Sequence, residues 1–270
     1  MRFTLEDNKC HIMGILNVTP DSFFDGGKYT DLDKIMIRVD QMINEGVDII
    51  DIGGESSRPG SDRISVQEEL DRILPVVSKI RESHGIPISI DSMKPDVVRE
   101  LLSYNINIIN DISALSDPKF FEILKTTDAY ICLMHMNKDP STMQDNPTYE
   151  NVTEDVFSYL KHKSNYCIEN GINSKKIIID PGFGFGKTLD HNYELLKNLD
   201  KFTGINSNIL VGISRKSMIG NLLNQDLSKR LFGSLSAAVI SAMKHAKIIR
   251  THDVRETKIT IDMIKALFED

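Results

Sequence analysis

Several features that mark other classes of protein are scarce or missing in this sequence of 270 residues. It has three cysteines, Cys10, Cys132 and Cys167, and no two are spaced as a C-x-x-C pair, so neither a disulfide framework nor a zinc site is expected. No apolar stretch approaches the roughly 20 residues of a membrane helix. The N-terminus carries charges where a signal peptide has its apolar run. We therefore expect a cytoplasmic protein with reduced thiols and no membrane partner.

An excess of positive charge is also missing. The chain has 39 acidic residues against 32 lysines and arginines, which gives a formal net charge of −7. A protein that binds nucleic acid over a broad face needs basic residues to neutralise the phosphates. We therefore expect no nucleic-acid partner. The hydrophobic fraction of 40% and the charged fraction of 26% are typical of an ordinary globular protein.

One pattern recurs along the chain: a short run rich in Val, Ile and Leu ends in a polar residue or glycine, and a helical segment follows. Eight such runs occur, at 11–17, 47–54, 86–91, 106–111, 129–135, 176–182, 208–214 and 246–252. Strands buried on both faces have this apolar character. We predict an α/β fold, a single (β/α)₈ barrel domain over residues 1–270. A doubly wound parallel sheet is the alternative, but no Gly-rich nucleotide turn follows the first strand.

In such a barrel the active site lies at the carboxyl ends of the strands. The groups found there are Asn17, Glu55 with Arg58, Asp91, Asn110, His135, Asp180, Ser214 with Lys216, and Arg250 with His252. Strands also end in polar residues merely on reaching solvent. Here, however, carboxylates and an amide follow strands three, four and six, and cationic or potentially cationic groups follow strands two, seven and eight. We predict a mouth that is acidic on one side and basic on the other, suited to a ligand with a donor-rich head and an anionic tail.

The segment KIIIDPGFGFGKTLD, residues 176–190, contains a Gly-Lys-Thr that is reminiscent of a phosphate-binding P-loop. A P-loop has four residues between its two glycines, whereas three residues separate Gly182 from Gly186. Alternating glycines instead suit a backbone that closely approaches a flat ligand, which Phe185 would stack on or wall. Asp180 can accept two parallel N–H bonds, as the guanidine-like edge of a 2-amino-4-oxo-pterin would supply, with Lys216 donating to a ring oxygen.

Ten stretches carry a family resemblance that spans nearly the whole chain, in order. They are MGILNVTPDSFFDGGKY (13–29), DIIDIGGESSRPG (48–60), SIDSMKPDVV (89–98), IINDIS (108–113), LMHM (133–136), TMQDNPTY (142–149), IIIDPGFGFGKT (177–188), VGISRKSMIG (211–220), GSLSAA (233–238) and IIRTHDVRET (248–257). They resemble the bacterial dihydropteroate synthase family. The resemblance implies a homodimer that uses Mg²⁺ in folate synthesis. It also implies the reaction of 7,8-dihydropterin-6-ylmethyl diphosphate with 4-aminobenzoate to give 7,8-dihydropteroate and diphosphate.

The resemblance also implies roles for matched positions. The residues implied to bind the pterin diphosphate are Ser57, Asp91, Asn110, Met134, Asp180, Gly212, Lys216, Arg250 and His252. Phe185, Ser217, Pro59 and Phe23 would border the 4-aminobenzoate site, and Asn17 would contact the Mg²⁺. The residues implied in the chemistry itself are Arg58, Asp91, Lys216, Arg250 and His252.

The implied chemistry needs no protein nucleophile. Diphosphate leaves from a carbon attached to an electron-rich ring, which favours a cation-like transition state. Arg250 and His252, together with the metal, would stabilise the leaving anion, and Asp91 would stabilise the developing positive charge. The amine then attacks because it is held close to that carbon.

The sequence departs from the family pattern at three positions. Ser57 and Ser92 stand where the family usually has threonine, and Thr251 stands where valine is commoner. We expect activity to survive, with Thr251 pointing away from the anion. Other functions stay open: a methyltetrahydrofolate-type pterin methyltransferase, which would not need the Arg250-x-His252 pair, a pterin-binding module without turnover, and, disfavoured by its glycine spacing, a P-loop NTPase.

Overall fold

The structure is a computed structural model that describes residues 3–6, 9–19, 28–56, 61–138 and 142–268, without the side chains of 28–31 and 268. The described residues form eight strands: β1 (His11–Asn17), β2 (Ile49–Gly53), β3 (Ile88–Asp91), β4 (Ile108–Asp111), β5 (Tyr130–Met134), β6 (Ile177–Asp180), β7 (Leu210–Val211) and β8 (Ile248–Thr251). They also form nine α-helices: α1 (Lys28–Asn44), α2 (Val66–Ser83), α3 (Pro95–Leu101), α4 (Lys119–Leu124), α5 (Val152–Glu169), α6 (Leu189–Lys197), α7 (Ser217–Leu223), α8 (Leu231–Met243) and α9 (Val254–Phe268).

The strands form one parallel sheet in the order β6-β5-β4-β3-β2-β1-β8-β7. The two ends of that sheet meet through a parallel bridge between Ile179 and Ile209. The side chain of Asn208 strengthens this seam, because its Nδ2 donates to the carbonyls of Lys175 at 3.1 Å and Ile177 at 3.0 Å. The predicted (β/α)₈ barrel is therefore confirmed, and the open doubly wound sheet is excluded.

The predicted strand bounds agree best where the apolar run is uninterrupted. β1 spans the predicted residues 11–17, whereas β7 occupies only Leu210–Val211 of the predicted 208–214. Gly212 has no side chain to pack there, and Arg215 has a left-handed φ of 57° in the tight turn that follows. The run 208–214 is apolar like its neighbours, but its second half turns into the loop that carries site residues.

The barrel has two apolar layers. Its interior is filled by residues that include Met13, Ile49, Ile108, Tyr130, Cys132, Ile178, Leu210 and Ile248. The outward side chains of the strands pack instead against the surrounding helices in a second, larger cluster. This division follows the period of two along each strand, which sends successive side chains to opposite faces.

Local signals start several of these helices. Ser65 Oγ accepts a hydrogen bond from the Glu68 amide at 3.1 Å and caps α2. Pro95 is the first residue of α3, where its missing N–H costs nothing. Asn151 caps α5 through its side-chain oxygen. Within the described ranges, no helix combines the length and the apolar character that crossing a membrane requires.

Candidate active site

Two residues beyond the apolar interior layer, the strands become polar. The pairs are Ile49 and Asp51, Ile108 and Asn110, Ile178 and Asp180, Leu210 and Gly212, and Ile248 and Arg250. Because side chains two residues apart face the same way, each second member points into the barrel above its apolar partner. Register places Asp91 beside Gly53 and Asn110, so it joins the same rim. These groups form the mouth of the barrel.

Arg250 crosses this mouth. Its Nε donates to Asp51 Oδ2 at 2.6 Å, and its Nη2 donates to Asp91 Oδ2 at 2.8 Å. Asn110 Nδ2 donates to the same Asp51 oxygen at 3.2 Å. Burial opposes the charge of Arg250, but Asp51 and Asp91 outweigh burial and raise its pKa. The guanidinium is therefore permanently charged.

Around the mouth, carboxylates lie at the ends of β2, β3 and β6, and the cations Lys216 and Arg250 lie at β7 and β8, so acidic and basic groups occupy separate arcs as predicted. Arg250 joins the two arcs by reaching across to Asp51 and Asp91. β8 lies next to β1, and β2 and β3 follow in the sheet order. The closed barrel thus lets Arg250 reach carboxylates that lie far from it in the sequence. Lys216 and Asp180 are a second pair of opposite charges in the mouth, on neighbouring segments after β7 and β6.

The carboxyl groups here are held in an environment that disfavours their charge. Burial raises the pKa of Asp91 to about 7, with Arg250 opposing and Asp51 adding to the shift. Burial also raises the pKa of Asp180, while Lys216 and the amide of Gly182 oppose it. That amide donates to Asp180 Oδ1 at 2.7 Å. Strongly shifted groups that converge in one concave mouth are typical of a catalytic or binding site.

Lys216 stands on the other side of Asp180, after β7. Its Nζ donates to the carbonyl of Phe183 at 2.5 Å and lies 4.5 Å from the centre of the Phe185 ring. Burial lowers the pKa of Lys216 to about 8, and Asp180 opposes that shift. An ammonium over an aromatic face is an attractive contact. Lys216 therefore contacts the backbone and the aromatic ring of the glycine loop, while its charge acts on the carboxyl at the end of β6.

The alternating glycines of residues 182–186, the glycine loop, are required by backbone geometry. Gly182 has φ 71°, and a Cβ there would lie 1.9 Å from the carbonyl oxygen of His135. Gly186 has φ 65°, and its Cβ would lie 2.6 Å from the Cβ of Asn137. Lys187, the lysine of the Gly-Lys-Thr, is buried. The segment therefore does not form a phosphate-binding P-loop. This agrees with the glycine spacing, which argued against one.

His252 follows β8 in the predicted anion pocket. Its Nδ1 lies 3.1 Å from Ser214 Oγ. Burial lowers its pKa to about 4, and Arg250 and Arg215 add to the shift. The imidazole is therefore neutral near pH 7 in this arrangement. The hydroxyl of Thr251 is turned towards Thr257 Oγ1, at 2.9 Å.

The other predicted residues have varied positions. Met134 is buried at the end of β5, in register with Asp180. A Cβ at Gly212 would lie 3.8 Å from the side chain of Arg250 and 4.0 Å from Lys216 Nζ. Ser217 is exposed at the start of α7. His135 does not reach the mouth, because its ring packs against Tyr159 and Tyr149. Four predicted site residues, Phe23, Ser57, Arg58 and Pro59, lie outside the described residues.

Two features of the site were missed in the sequence. Asp51 was passed over inside an apolar run, although its two-residue spacing from Ile49 and Gly53 was a signal that it faces inward. The second is an ion cluster at the rim, where Lys94 Nζ contacts carboxylates of both Glu55 and Glu69. Glu69 is buried on α2, and nothing in the sequence indicated that it would pair with Lys94, which follows β3.

A magnesium ion carried by a diphosphate takes most of its ligands from phosphate oxygens and water. It needs only one or two oxygens from the protein. Asn17 offers an amide oxygen at the end of β1, is half-buried and makes no side-chain hydrogen bond with the described part of the chain. The described residues contain no group of three His, Cys, Asp or Glu side chains that would hold a metal by themselves. The donor present fits an ion that arrives with an anionic substrate.

Comparisons with known proteins point to one family. The family model described as "Pterin binding enzyme" matches residues 13–252. The chain is 50% identical to a dihydropteroate synthase of Escherichia coli (strain K12), covering 95% of this chain and 91% of that protein. It is 47% identical to one of Haemophilus influenzae, covering 96% and 95%. A crystal structure of Yersinia pestis dihydropteroate synthase with a sulfonamide drug superposes with a TM-score of 0.92 and 43% identity, covering 98% and 96%.

Proposed function

This chain belongs to the dihydropteroate synthase family of pterin-binding enzymes, and we propose how its own residues carry out that reaction. It is a transferase that joins the 7,8-dihydropterin-6-ylmethyl group to 4-aminobenzoate, and it releases diphosphate and 7,8-dihydropteroate. One observation carries the assignment of roles: Asp180, Asn110, Lys216 and the Asp91–Arg250 pair converge in one mouth. A flat, donor-rich head with an anionic tail fits that set.

The pterin head binds at Asp180. As a carboxylate, this buried side chain accepts two parallel N–H bonds from the 2-amino and ring N–H edge. Lys216 donates to the ring oxygen, and Asn110 is held ready by its bond to Asp51. Met134 supplies a buried apolar wall, while Gly212 leaves room beneath Arg250 and Lys216.

The diphosphate tail binds at the Arg250 side of the mouth. Arg250 and His252 donate to the leaving oxygens, and Asp91 faces the pterin carbon that becomes positive as the C–O bond breaks. The electron pair of that bond leaves with diphosphate, and the aminobenzoate nitrogen forms the new C–N bond and releases a proton to water. Preorganised charges of this kind stabilise a transition state without reorganisation at the moment of reaction.

The anion also changes the charge of His252. Its pKa is low without ligand because burial and two arginines disfavour the cation. A diphosphate beside it would reverse the sign of the local potential and favour protonation. We propose that His252 becomes protonated only when the substrate is bound. Its positive charge would then stabilise the leaving diphosphate without being buried, uncompensated, in the empty site.

The second substrate lies against the glycine loop. Phe185 offers an aromatic face next to Lys216, and Ser217 is exposed directly after it. We propose that these two residues border 4-aminobenzoate, with Pro59 and Phe23 covering it and with Ser57 and Arg58 closing over the pterin diphosphate. Asn17 would hold Mg²⁺, which when bound neutralises charge on the leaving diphosphate.

The chain is proposed to act as a homodimer of one-domain protomers in the cytoplasm. Helices α8 and α9 expose an unusual set of large apolar side chains: Phe232, Ile240, Met243, Ile259, Met263 and Leu267. Exposed apolar patches on helices are typical of interfaces. Sedimentation velocity tests this proposal: a Phe232→Asp, Met263→Asp double variant should sediment as a monomer where the parent protein sediments as a dimer.

Diphosphate release is the test of the reaction. The purified chain would receive the pterin diphosphate and Mg²⁺, with and without 4-aminobenzoate, beside an Asp180→Asn variant. We expect release that depends on aminobenzoate, yields dihydropteroate and collapses in the variant. An Asp128→Asn variant, which alters an ion pair with Lys176 at the opposite end of the barrel, is the matched control. Pterin binding without release would favour a binding module, and a corrinoid requirement would favour a methyltransferase.

A further inference from the structure

Every backbone carbonyl of the glycine loop accepts a hydrogen bond from a side chain. Lys187 Nζ donates to the carbonyls of Gly182 at 2.8 Å and Phe185 at 3.0 Å. Lys216 Nζ donates to Phe183 at 2.5 Å, Gln144 Nε2 to Gly184 at 2.6 Å, and Tyr149 Oη to Gly186 at 2.8 Å. A loop without regular secondary structure is thereby fixed from both sides. Lys187 is the residue among these donors that binds it twice.

Lys187 has no access to a ligand. Only 4% of its surface is exposed, and its ammonium is surrounded by protein acceptors. Besides the two loop carbonyls, Nζ lies 3.0 Å from Nδ1 and 3.3 Å from the carbonyl oxygen of His135, which follows β5. Burying an ammonium is costly unless its hydrogen bonds are satisfied. Burial lowers the pKa of Lys187 to about 7, and Asp180 opposes that shift. The cage of acceptors holds Nζ in one place and, through it, the loop.

The cage connects two parts of the site. Gly182 receives Lys187 on its carbonyl, and its amide donates to Asp180 Oδ1 at 2.7 Å. At the other end of the loop, the second carbonyl bonded to Lys187 belongs to Phe185 itself. The chain of bonds therefore runs from the carboxylate proposed for the pterin, through Lys187, to the backbone of the residue whose ring is proposed for aminobenzoate.

We propose that Lys187 is a positioning residue that fixes Asp180 and Phe185 relative to each other, so that one buried ammonium sets the distance between the two substrates. It belongs to the Gly-Lys-Thr segment, but it binds backbone carbonyls of its own loop and not a phosphate. This inference rests on the proposed function, because the distance matters only if a pterin carbon and an amine must meet.

His135 takes part as an acceptor. An ammonium can only donate, so the contact at Nδ1 requires that nitrogen to be unprotonated. Burial and Lys187 lower the pKa of His135 to about 3, which keeps the ring neutral. Asparagine carries an oxygen at the position of Nδ1, whereas leucine carries none. His135→Asn should therefore preserve the cage, and His135→Leu should loosen it.

Lys187→Met tests the proposal, with Lys247→Met as the matched control. Lys247 is also buried, and its Nζ lies 3.3 Å from Asn208 at the opposite end of the barrel. Two constants are measured: the dissociation constant for the pterin alcohol 6-hydroxymethylpterin, by fluorescence, and the Michaelis constant for the aminobenzoate substrate, in the diphosphate-release assay. We expect about tenfold increases in both for Lys187→Met, the equivalent of about 1.4 kcal/mol each, and changes below about twofold for Lys247→Met.

The outcomes separate the inference from the function on which it rests. If the parent chain releases no diphosphate, the proposed reaction fails whatever the variants do. If the parent is active and Lys187→Met melts lower but keeps both constants, Lys187 is merely structural and the proposal is wrong. Should Lys187→Met not fold, the His135 pair decides: larger constants for leucine than for asparagine support the positioning role, and equal constants refute it.

Discussion

Two layers of the barrel interior, only two residues apart on the same strands, have opposite physical character. The lower layer is apolar and includes Ile49, Ile178 and Ile248, all fully buried. In the upper layer the same strands carry Asp51, Asp180 and Arg250. The backbone treats both layers alike, since register and pairing continue through them. The two layers therefore differ only in the chemistry of their side chains. The lower layer stabilises the barrel, and the upper layer lowers its stability but forms a binding site.

The upper layer shows the cost of that function. Burial raises the pKa of both Asp91 and Asp180, which means that the fold disfavours their charged forms. The lower layer has no such conflict, because burying hydrocarbon side chains lowers the free energy of the folded state. Stability and function are thus divided along the axis of the barrel, as in (β/α)₈ enzymes whose sites lie at the carboxyl ends of their strands.

Exchanging the chemistry of the two layers has the largest expected effect. Ile178→Asp places an unpaired carboxyl in the apolar layer and should destabilise the protein by about 4 kcal/mol or more. Asp180→Val, two residues later, removes a buried carboxylate but also the acceptor of the Gly182 amide, so it should cost less stability than Ile178→Asp, about 1–3 kcal/mol, and abolish activity. Urea denaturation and the diphosphate-release assay measure the two effects. A stable Ile178→Asp protein would show that the two layers do not differ as described.

Asp51 tests how the upper layer is organised. Asp51→Asn keeps an oxygen that can accept from both Arg250 and Asn110 but removes the negative charge that offsets the burial of Arg250. We expect kcat/KM to fall about 100-fold, with the larger part in pterin binding. Asp48→Asn is the control, because Asp48 pairs with Lys9 at the other end of the barrel. Equal kcat/KM values for the two variants would show that Asp51 does not position Arg250.

The sequence predicted the fold well because the relevant signals are local. Eight β-branched runs, each followed by a helix, were enough to indicate the barrel, and the bounds of β1 agreed at both ends. β7 was predicted too long, because a closed barrel needs only Leu210 and Val211 to pair there, with a side chain of Asn208 completing the seam. Such compensation by tertiary contacts leaves no periodic trace in the sequence.

The site was predictable as a set of residues but not as an arrangement. Asp91, Asn110, Asp180 and Lys216 could be named because each follows a strand. That Arg250 binds Asp51 and Asp91 depends on which strands become neighbours when the barrel closes. The pKa of His252 depends on burial that only packing creates. Charge pairing and desolvation are properties of three-dimensional proximity, so they were the part that sequence reasoning missed.

A smaller, pH-dependent effect is expected for Asp91→Asn. The carboxyl has a pKa of about 7 in the folded protein, against about 3.9 when unfolded. The folded state therefore holds its proton more tightly, and its contribution to stability is lost as pH rises from about 4 to about 7. The variant lacks this loss, so its Tm should exceed that of the parent by about 8 °C or more at pH 8 and by less at pH 5. A pH-independent difference would contradict the assigned shift.

The smallest effect is expected on the outer face of β8, next to the mouth but turned away from it. Thr251 Oγ1 bonds to Thr257 Oγ1 at 2.9 Å and accepts from the Asp253 amide at 3.1 Å. Thr251→Val removes these bonds and should cost about 1 kcal/mol of stability, measured by urea denaturation. Arg250 and His252 flank this position yet face the site, so kcat/KM should stay within about twofold of the parent. A large loss of activity would mean that β8 transmits strain from its outer face, and that alternation along a strand does not separate scaffold from site.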